Sequence, residues 1–266
     1  MSKRMMSVAG SFYPASSSDI NTMIDYFNTV LESHSDIAAR FDSLNGNAVI
    51  VPHAGWVYSG FTANIAFRVL RHTHPKTVVV IGPSHKVGFE GVSIGDHELY
   101  QTPLGDLVID TTLVNDIKKQ FSLTTFSEAH HEHSTEVQMP FIKYYMRDVK
   151  VIEMVYAYSD PIQISPLIEY LLNQSDTAVV ISTDLSHYYT LDEAKKLDLI
   201  CLEAIKHENS TMLHQGCEAC GKIGVEAMLD VANKRNMEAV LLDYRTSADA
   251  SGDSTRVVGY ASALFR

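Results

Sequence analysis

No stretch of this chain approaches the length and apolarity of a membrane span. Its first residues, MSKRMMSVAGSFYP, are basic but lack the apolar core of a signal peptide. Both absences point to a soluble, cytoplasmic protein with no membrane partner. Positive charge is scarce, with 21 Lys and Arg against 32 Asp and Glu, a formal net charge of −11. Wrapping a phosphate backbone needs concentrated cations, and without a basic stripe nucleic acid is excluded as a partner. Cysteine is rarer still. Cys201, Cys217 and Cys220 all lie in the C-terminal third, an odd set that fits a reducing compartment. Cys217 and Cys220 have a spacing that could pair or bind zinc, but no second pair exists to complete a four-thiolate ribbon. Cys201 and Cys217 read as small buried packing residues. Repeats and low-complexity linkers are missing too, so nothing divides the 266 residues into separate units. A chain of this length with 45% apolar and 20% charged residues buries its core without staples. Any metal would therefore serve function rather than folding.

What is present is an alternation of strands and helices. Ala48–Val51 and the run TVVVI from Thr77 to Ile81 are β-branched and lack polar alternation. So does TAVVIS, from Thr177 to Ser182. Such runs predict strands buried on both faces of a parallel sheet. Further strands are expected at 107–109, 149–155, 239–244 and 256–265. Helices are expected from Ser16–Ser18 to His34 with Tyr26, Phe27, Val30 and Leu31 inward, from Ser59 as N-cap, from Asp110 or Thr111, after Ser134, and over 163–172, 192–206 and 220–233. Residues 36–46 read as a connector, and 88–105 as a β-excursion. The pattern predicts one α/β domain over residues 1–266, a mostly parallel central sheet with helices on both faces.

Three of the buried runs end by delivering a histidine: His53 after Pro52, His85 after Gly82-Pro83-Ser84, and His187 after Thr183 to Ser186. His130, His131 and His133 crowd the start of a later helix. In an open α/β sheet ligands bind beyond the strand C-termini, and imidazole is both a metal ligand and a proton carrier at neutral pH. Any one of these histidines could simply hydrogen-bond a turn; their shared position is what suggests a metal or proton-transfer site. Cys220, at the start of a helix, is expected to favour thiolate, as a metal ligand or redox-sensitive thiol, or else to pack as a small apolar residue. Asp184 could orient an imidazole or cap its turn. Glu136 shares a helical face with His133 and could join a proton relay or a cap. Trp56 and Tyr58 could line a substrate or pack the core.

The segments VAGSFYP, VPHAGWVYSG, IGPSH, EHSTEVQMPF, STDLSHY and CGKIGVEAML, spread from Val8 to Leu229, resemble the Memo family. That family is similar in fold to the class III extradiol dioxygenases, which hold Fe(II) and open catechol rings. The resemblance implies a metal site of His53, His85 and Cys220, with a thiolate where the dioxygenases have a carboxylate. It also implies that His187 and His133 line the cleft, with Asp184 behind them. Iron is the first metal expected, with copper or zinc compatible. Three functions follow as expectations: a metal-dependent oxidoreductase with His187 or His133 as acid and base and Trp56, Tyr58 and Glu136 near a small substrate; a non-enzymatic protein binding a peptide or small ligand; and a metal-handling redox protein. A radical-SAM protein is a further partner by resemblance only.

Overall fold

Valine and isoleucine runs without polar alternation form the centre of the molecule. The computed structural model describes residues 2–266. Among these residues eleven strands form: β1 Lys3–Arg4, β2 Ala48–Val51, β3 Thr77–Pro83, β4 Gly91–Ile94, β5 Leu99–Tyr100, β6 Leu107–Ile109, β7 Lys150–Ala157, β8 Thr177–Ser182, β9 His187–Tyr189, β10 Ala239–Thr246 and β11 Val257–Phe265. The main sheet runs β1-β5-β6-β7-β3-β8-β2-β11-β10, with β4 on β7 and β9 on β11. From β6 to β2 the neighbours are all parallel. Beyond β2, strands β11 and β10 pair antiparallel. Every residue of β2, β3 and β8 is buried, which requires cover on both faces. Helix 56–70 packs on β2, β10 and β11, while helices 161–172 and 222–235 pack on each other and on β8. Side chains such as Ile50, Val79 and Val180 are wholly buried, and truncating a larger one to alanine would cost about 2–5 kcal/mol.

Several local expectations need correction. Helix Ser17–Glu32 is capped by Ser16 and buries Ile20, Ile24, Phe27 and Leu31. Tyr26 stays 64% exposed, because the three- and four-residue spacing of the buried set leaves it on the outer face. The presumed connector holds helix Ser35–Asp42, which buries Ala38 and Phe41. The helix after β2 begins at Trp56 with Gly55 as its cap; Ser59 lies inside it, its hydroxyl donating to the Ala54 carbonyl at 3.0 Å. The run after the histidine cluster is two short helices, His133–Glu136 and Met139–Tyr145. Cys201 and Cys217 are joined in a disulfide, their Cα atoms 5.1 Å apart. They are therefore more than packing residues, and Cys217 does not pair with Cys220. Helix Leu191–Lys206 and the 3-10 turn Ser210–Gln215 pack together, which brings Cys201 beneath Cys217. A formed disulfide also removes the reason for inferring a reducing compartment. No helix among the described residues is long and apolar enough to cross a membrane.

Candidate metal centre

Strands β3, β8 and β2 are neighbours and parallel, so their C-terminal ends open on one edge of the sheet. His53 follows β2 and is 1% exposed. Its Nδ1 lies 2.9 Å from Ser182 Oγ at the end of β8. The Ser182 hydroxyl donates to the Ser134 carbonyl at 2.6 Å and accepts from Gln138 Nε2 at 3.1 Å. With its proton committed, Ser182 can only accept from His53, so Nδ1 carries the hydrogen and Nε2 keeps a free lone pair. That nitrogen lies 3.2 Å from Cys220 Sγ. Burial, followed by the charges of His85 and His133, holds the His53 pKa well below its ordinary value. The ring is neutral, as a ligand must be.

Glu132 does the same work for two more imidazoles. Its carboxylate accepts from His85 Nδ1 at 3.2 Å and the His85 amide at 2.7 Å. It also accepts from His133 Nδ1 at 2.7 Å and from the His133 and Ser134 amides. Burial would raise its pKa, but the hydrogen bonds from His133 and His85 overcome this and hold the group well below the usual carboxylate range. An ionised carboxylate only accepts, so both Nδ1 atoms donate and both Nε2 atoms are free. The His53, His85 and His133 rings stand 4.5 to 5.5 Å apart, centroid to centroid.

Cys220 arrives from the loop before helix Lys222–Arg235. Its amide donates to the Asp184 carbonyl at 3.2 Å, and its sulfur accepts from the Asp184 amide at 3.3 Å. Asp184 Oδ1 in turn accepts from the His53 amide at 2.7 Å. The loop after β8 thus bridges the two ligand-bearing loops. At the next position only glycine fits, since a Cβ on Gly221 would strike Thr183 and the Ser182 carbonyl. Burial and the nearby Asp184 charge push the Cys220 thiol up to about 12, against the expected thiolate. Cys220 precedes the helix by two residues, and desolvation outweighs the dipole.

One ligand atom each from His53, His85 and Cys220 lie within 4.8 Å of one another. A tetrahedral ion with bonds of about 2.3 Å to sulfur and 2.0–2.1 Å to nitrogen sets S and N roughly 3.5–3.6 Å apart, so the pair at 3.2 Å would open by a few tenths of an ångström to hold one. The set fits a soft or borderline metal, and two imidazoles with a thiol disfavour magnesium or calcium. A cation there would displace the thiol proton that burial otherwise retains. His85, Glu132 and His133 also cluster, but Glu132 already accepts five hydrogen bonds and serves as the anchor of the first set.

The remaining candidates separate. His133 stands beside the ligands, its ring 4.7 Å from that of Phe12. His187, on β9, is half-buried, and its charge bears on both His53 and Asp184. Tyr58 is 45% exposed. Trp56 is core, stacked on Phe141 at 3.9 Å with its indole N–H on the Val137 carbonyl. Glu136 is wholly buried, accepting from Ser7, Val8 and Tyr13 and paired with Arg4 at 2.8 Å; it ties down the N-terminal segment. Glu132, Ser182 and Gln138 escaped sequence reasoning, although Ser182 closes a buried strand and Glu132 precedes His133. The open cleft of about 480 Å³ lined by Arg71, His74, Tyr145 and Lys150 lies at the other end of β3 and β7.

The fold is an α/β domain that gathers two imidazoles and a thiol at its strand ends, a group that could hold a metal ion. The family model described as Memo-like protein matches residues 4–264, and the chain belongs to the Memo family. A MEMO1 family protein of Desulfurococcus amylolyticus is 33% identical, over 100% of this chain and 99% of the relative. Relatives of the same description from Aquifex aeolicus, at 31% over 100% of both chains, and Methanopyrus kandleri, at 32% over 99% of both, are similar to it throughout.

Proposed function

We propose that this protein is a metal-dependent oxidoreductase acting on a small organic substrate, with the metal held by His53, His85 and Cys220. The observation that carries the reading is the fixed tautomer of His53. A buried, neutral imidazole turns its acceptor nitrogen toward the Cys220 thiol at 3.2 Å, with a His85 nitrogen close by, so that one metal ion would take the place of the thiol proton between them. Iron is the first candidate, with copper or zinc next. Bound there, the metal would supply Lewis acidity and, as iron or copper, electron exchange with oxygen.

The protein's own groups supply positioning and proton transfer. Glu132 holds His133 with Nδ1–H inward and Nε2 outward, the arrangement of a general base oriented by a carboxylate. His187, at the start of β9, is the proposed partner that returns the proton. Asp184 fixes the His53 loop and the Cys220 loop to each other. Tyr58, exposed at the N-terminal turn of helix 56–70, offers an aromatic surface to a substrate. The test is elemental analysis of protein purified without oxygen, followed by oxygen-uptake assays of the iron-loaded protein on a panel of catechol-type compounds. We expect near-stoichiometric metal and uptake that His133→Ala lowers and His53→Ala abolishes. Full loading with no uptake on any compound would overturn the oxidoreductase reading and leave a metal-handling protein.

A further inference from the structure

Behind the Thr183–His187 loop lies an acid that neither the metal set nor the proton-transfer groups use. Asp198, in helix Leu191–Lys206, is 0% exposed. Its Oδ1 accepts from the Ser186 amide at 2.9 Å and its Oδ2 from the Tyr244 hydroxyl at 2.8 Å. Gly259 on β11 makes room for it, since a Cβ there would overlap the carboxylate. The same glycine clasps the loop from the other side: its amide donates to the Ser186 carbonyl at 3.0 Å, and its carbonyl accepts from the Leu185 amide at 2.8 Å. Residues 185 and 186 are therefore held between β11 and one buried carboxylate. Immediately before them Asp184 joins His53 to Cys220, and immediately after them comes His187, paired with Val258 of β11.

We infer that Asp198 is a positioning residue of the metal centre: by holding the Ser186 amide it sets where Asp184 and His187 stand relative to His53 and Cys220. Burying a carboxylate is costly. A hydrogen bond to an ionised acceptor is about twice as strong as a neutral one, which suits an acid to fixing a loop whose own sequence, Thr-Asp-Leu-Ser-His, has no regular structure through residue 186. The β8 end is already fixed by the Thr183 amide on the Val51 carbonyl at 2.8 Å. Asp198 supplies the second fixed point, and a loop held at both ends has one geometry to offer.

The inference rests on the proposed metal site, so its test has one arm that needs no metal. Amide hydrogen exchange on the full-length, metal-free chain would compare the parent with Asp198→Ala and Asp198→Asn. We expect Asp198→Ala to speed exchange at Leu185 and Ser186 by about 10- to 100-fold, the worth of one charge-assisted hydrogen bond. Amides within β8 should be unchanged, and Asp198→Asn, which still accepts through Oδ1, should recover most of the protection. In the second arm, cobalt(II) titration followed by the thiolate charge-transfer band should show about tenfold weaker binding in Asp198→Ala, again recovered by asparagine. Parent-like exchange at Leu185 and Ser186 overturns the inference, as does a loosened loop with parent-like cobalt affinity. A parent that takes up no cobalt defeats the metal reading instead, and exchange alone then decides whether Asp198 holds the loop. If Asp198→Ala does not fold, Tyr244→Phe, which frees one side of the carboxylate, should give smaller changes of the same sign, and none would overturn the inference.

Discussion

Glu153 and Glu132 each hold histidine in place, in two clusters of the same residue types with different outcomes. Around Glu153 the contacts close. His130 Nδ1 lies 2.8 Å from Glu153 Oε2, its Nε2 lies 2.8 Å from Ser93 Oγ, and Tyr100 and Thr135 hydroxyls fill Oε1. Ser93, His130 and Glu153 are at most 2% exposed. The chain of contacts has the order of a hydrolase triad, yet the Phe126 amide sits on the Ser93 oxygen at 2.8 Å and a substrate has no approach. Around Glu132 the carboxylate is just as full, but each imidazole it holds keeps one nitrogen free. A site is thus marked by lone pairs left over at an opening, and a cluster with none left over is part of the core.

That contrast can be broken by substitutions with opposite readouts. The largest effect is expected at the ligands: Cys220→Ala and His53→Ala should each weaken zinc or cobalt binding more than about 100-fold, beyond what loss of a supporting residue does. His130→Ala should leave affinity near the parent value in whatever fraction folds; isothermal titration decides. Glu153→Ala should instead cost about 3–5 kcal/mol of stability in urea unfolding, since it leaves a buried cluster broken. Opening the 16-residue Cys201–Cys217 loop by double serine substitution should cost about 3 kcal/mol, seen as a lower thermal midpoint that dithiothreitol reproduces in the parent.

Smaller effects sharpen the same comparison. Ser182→Ala and Glu132→Gln should each weaken metal binding by about 10- to 100-fold while leaving the fold cooperative. The pH dependence has a definite sign. Burial opposes ionisation of Glu153, but the His130 hydrogen bond and nearby Arg4 hold it below its ordinary 4.5. A depressed carboxylate stabilises the fold above its unfolded pKa and loses that contribution as pH falls through the folded value. The metal-free protein should therefore begin to lose its urea midpoint below about pH 6.5, where the unfolded chain protonates the histidine that burial keeps neutral at His53, and then enter a steeper decline below about 4.5 as Glu153 protonates. Glu153→Gln should flatten that decline.

Much of this could be read from the chain because the central strands are runs of valine and isoleucine, a pattern that one buried environment explains. His53, His85 and Cys220 were legible from their places after a strand or before a helix together with the family motifs. What stayed hidden depends on partners remote in sequence. Ser182 fixes the His53 tautomer across 129 residues, and Glu132 reaches His85 across 47; no local spacing encodes either. Glu136 and Trp56 misled for the same reason, since a carboxylate near a histidine and an indole near another look functional until the N-terminal segment and Phe141 are seen to claim them. The disulfide was hidden because helix 191–206 folds back under the turn that follows it, a tertiary fact. Two- and three-residue strands such as β1 and β9 carry no periodicity to detect.

X-ray absorption at the metal edge of the anaerobically loaded protein tests the central claim most directly. The expected spectrum has one sulfur at about 2.3 Å and imidazole nitrogens at about 2.0–2.1 Å, with the sulfur shell absent in Cys220→Ser. A loaded protein whose metal shows only oxygen and nitrogen neighbours, unchanged in Cys220→Ser, would contradict it.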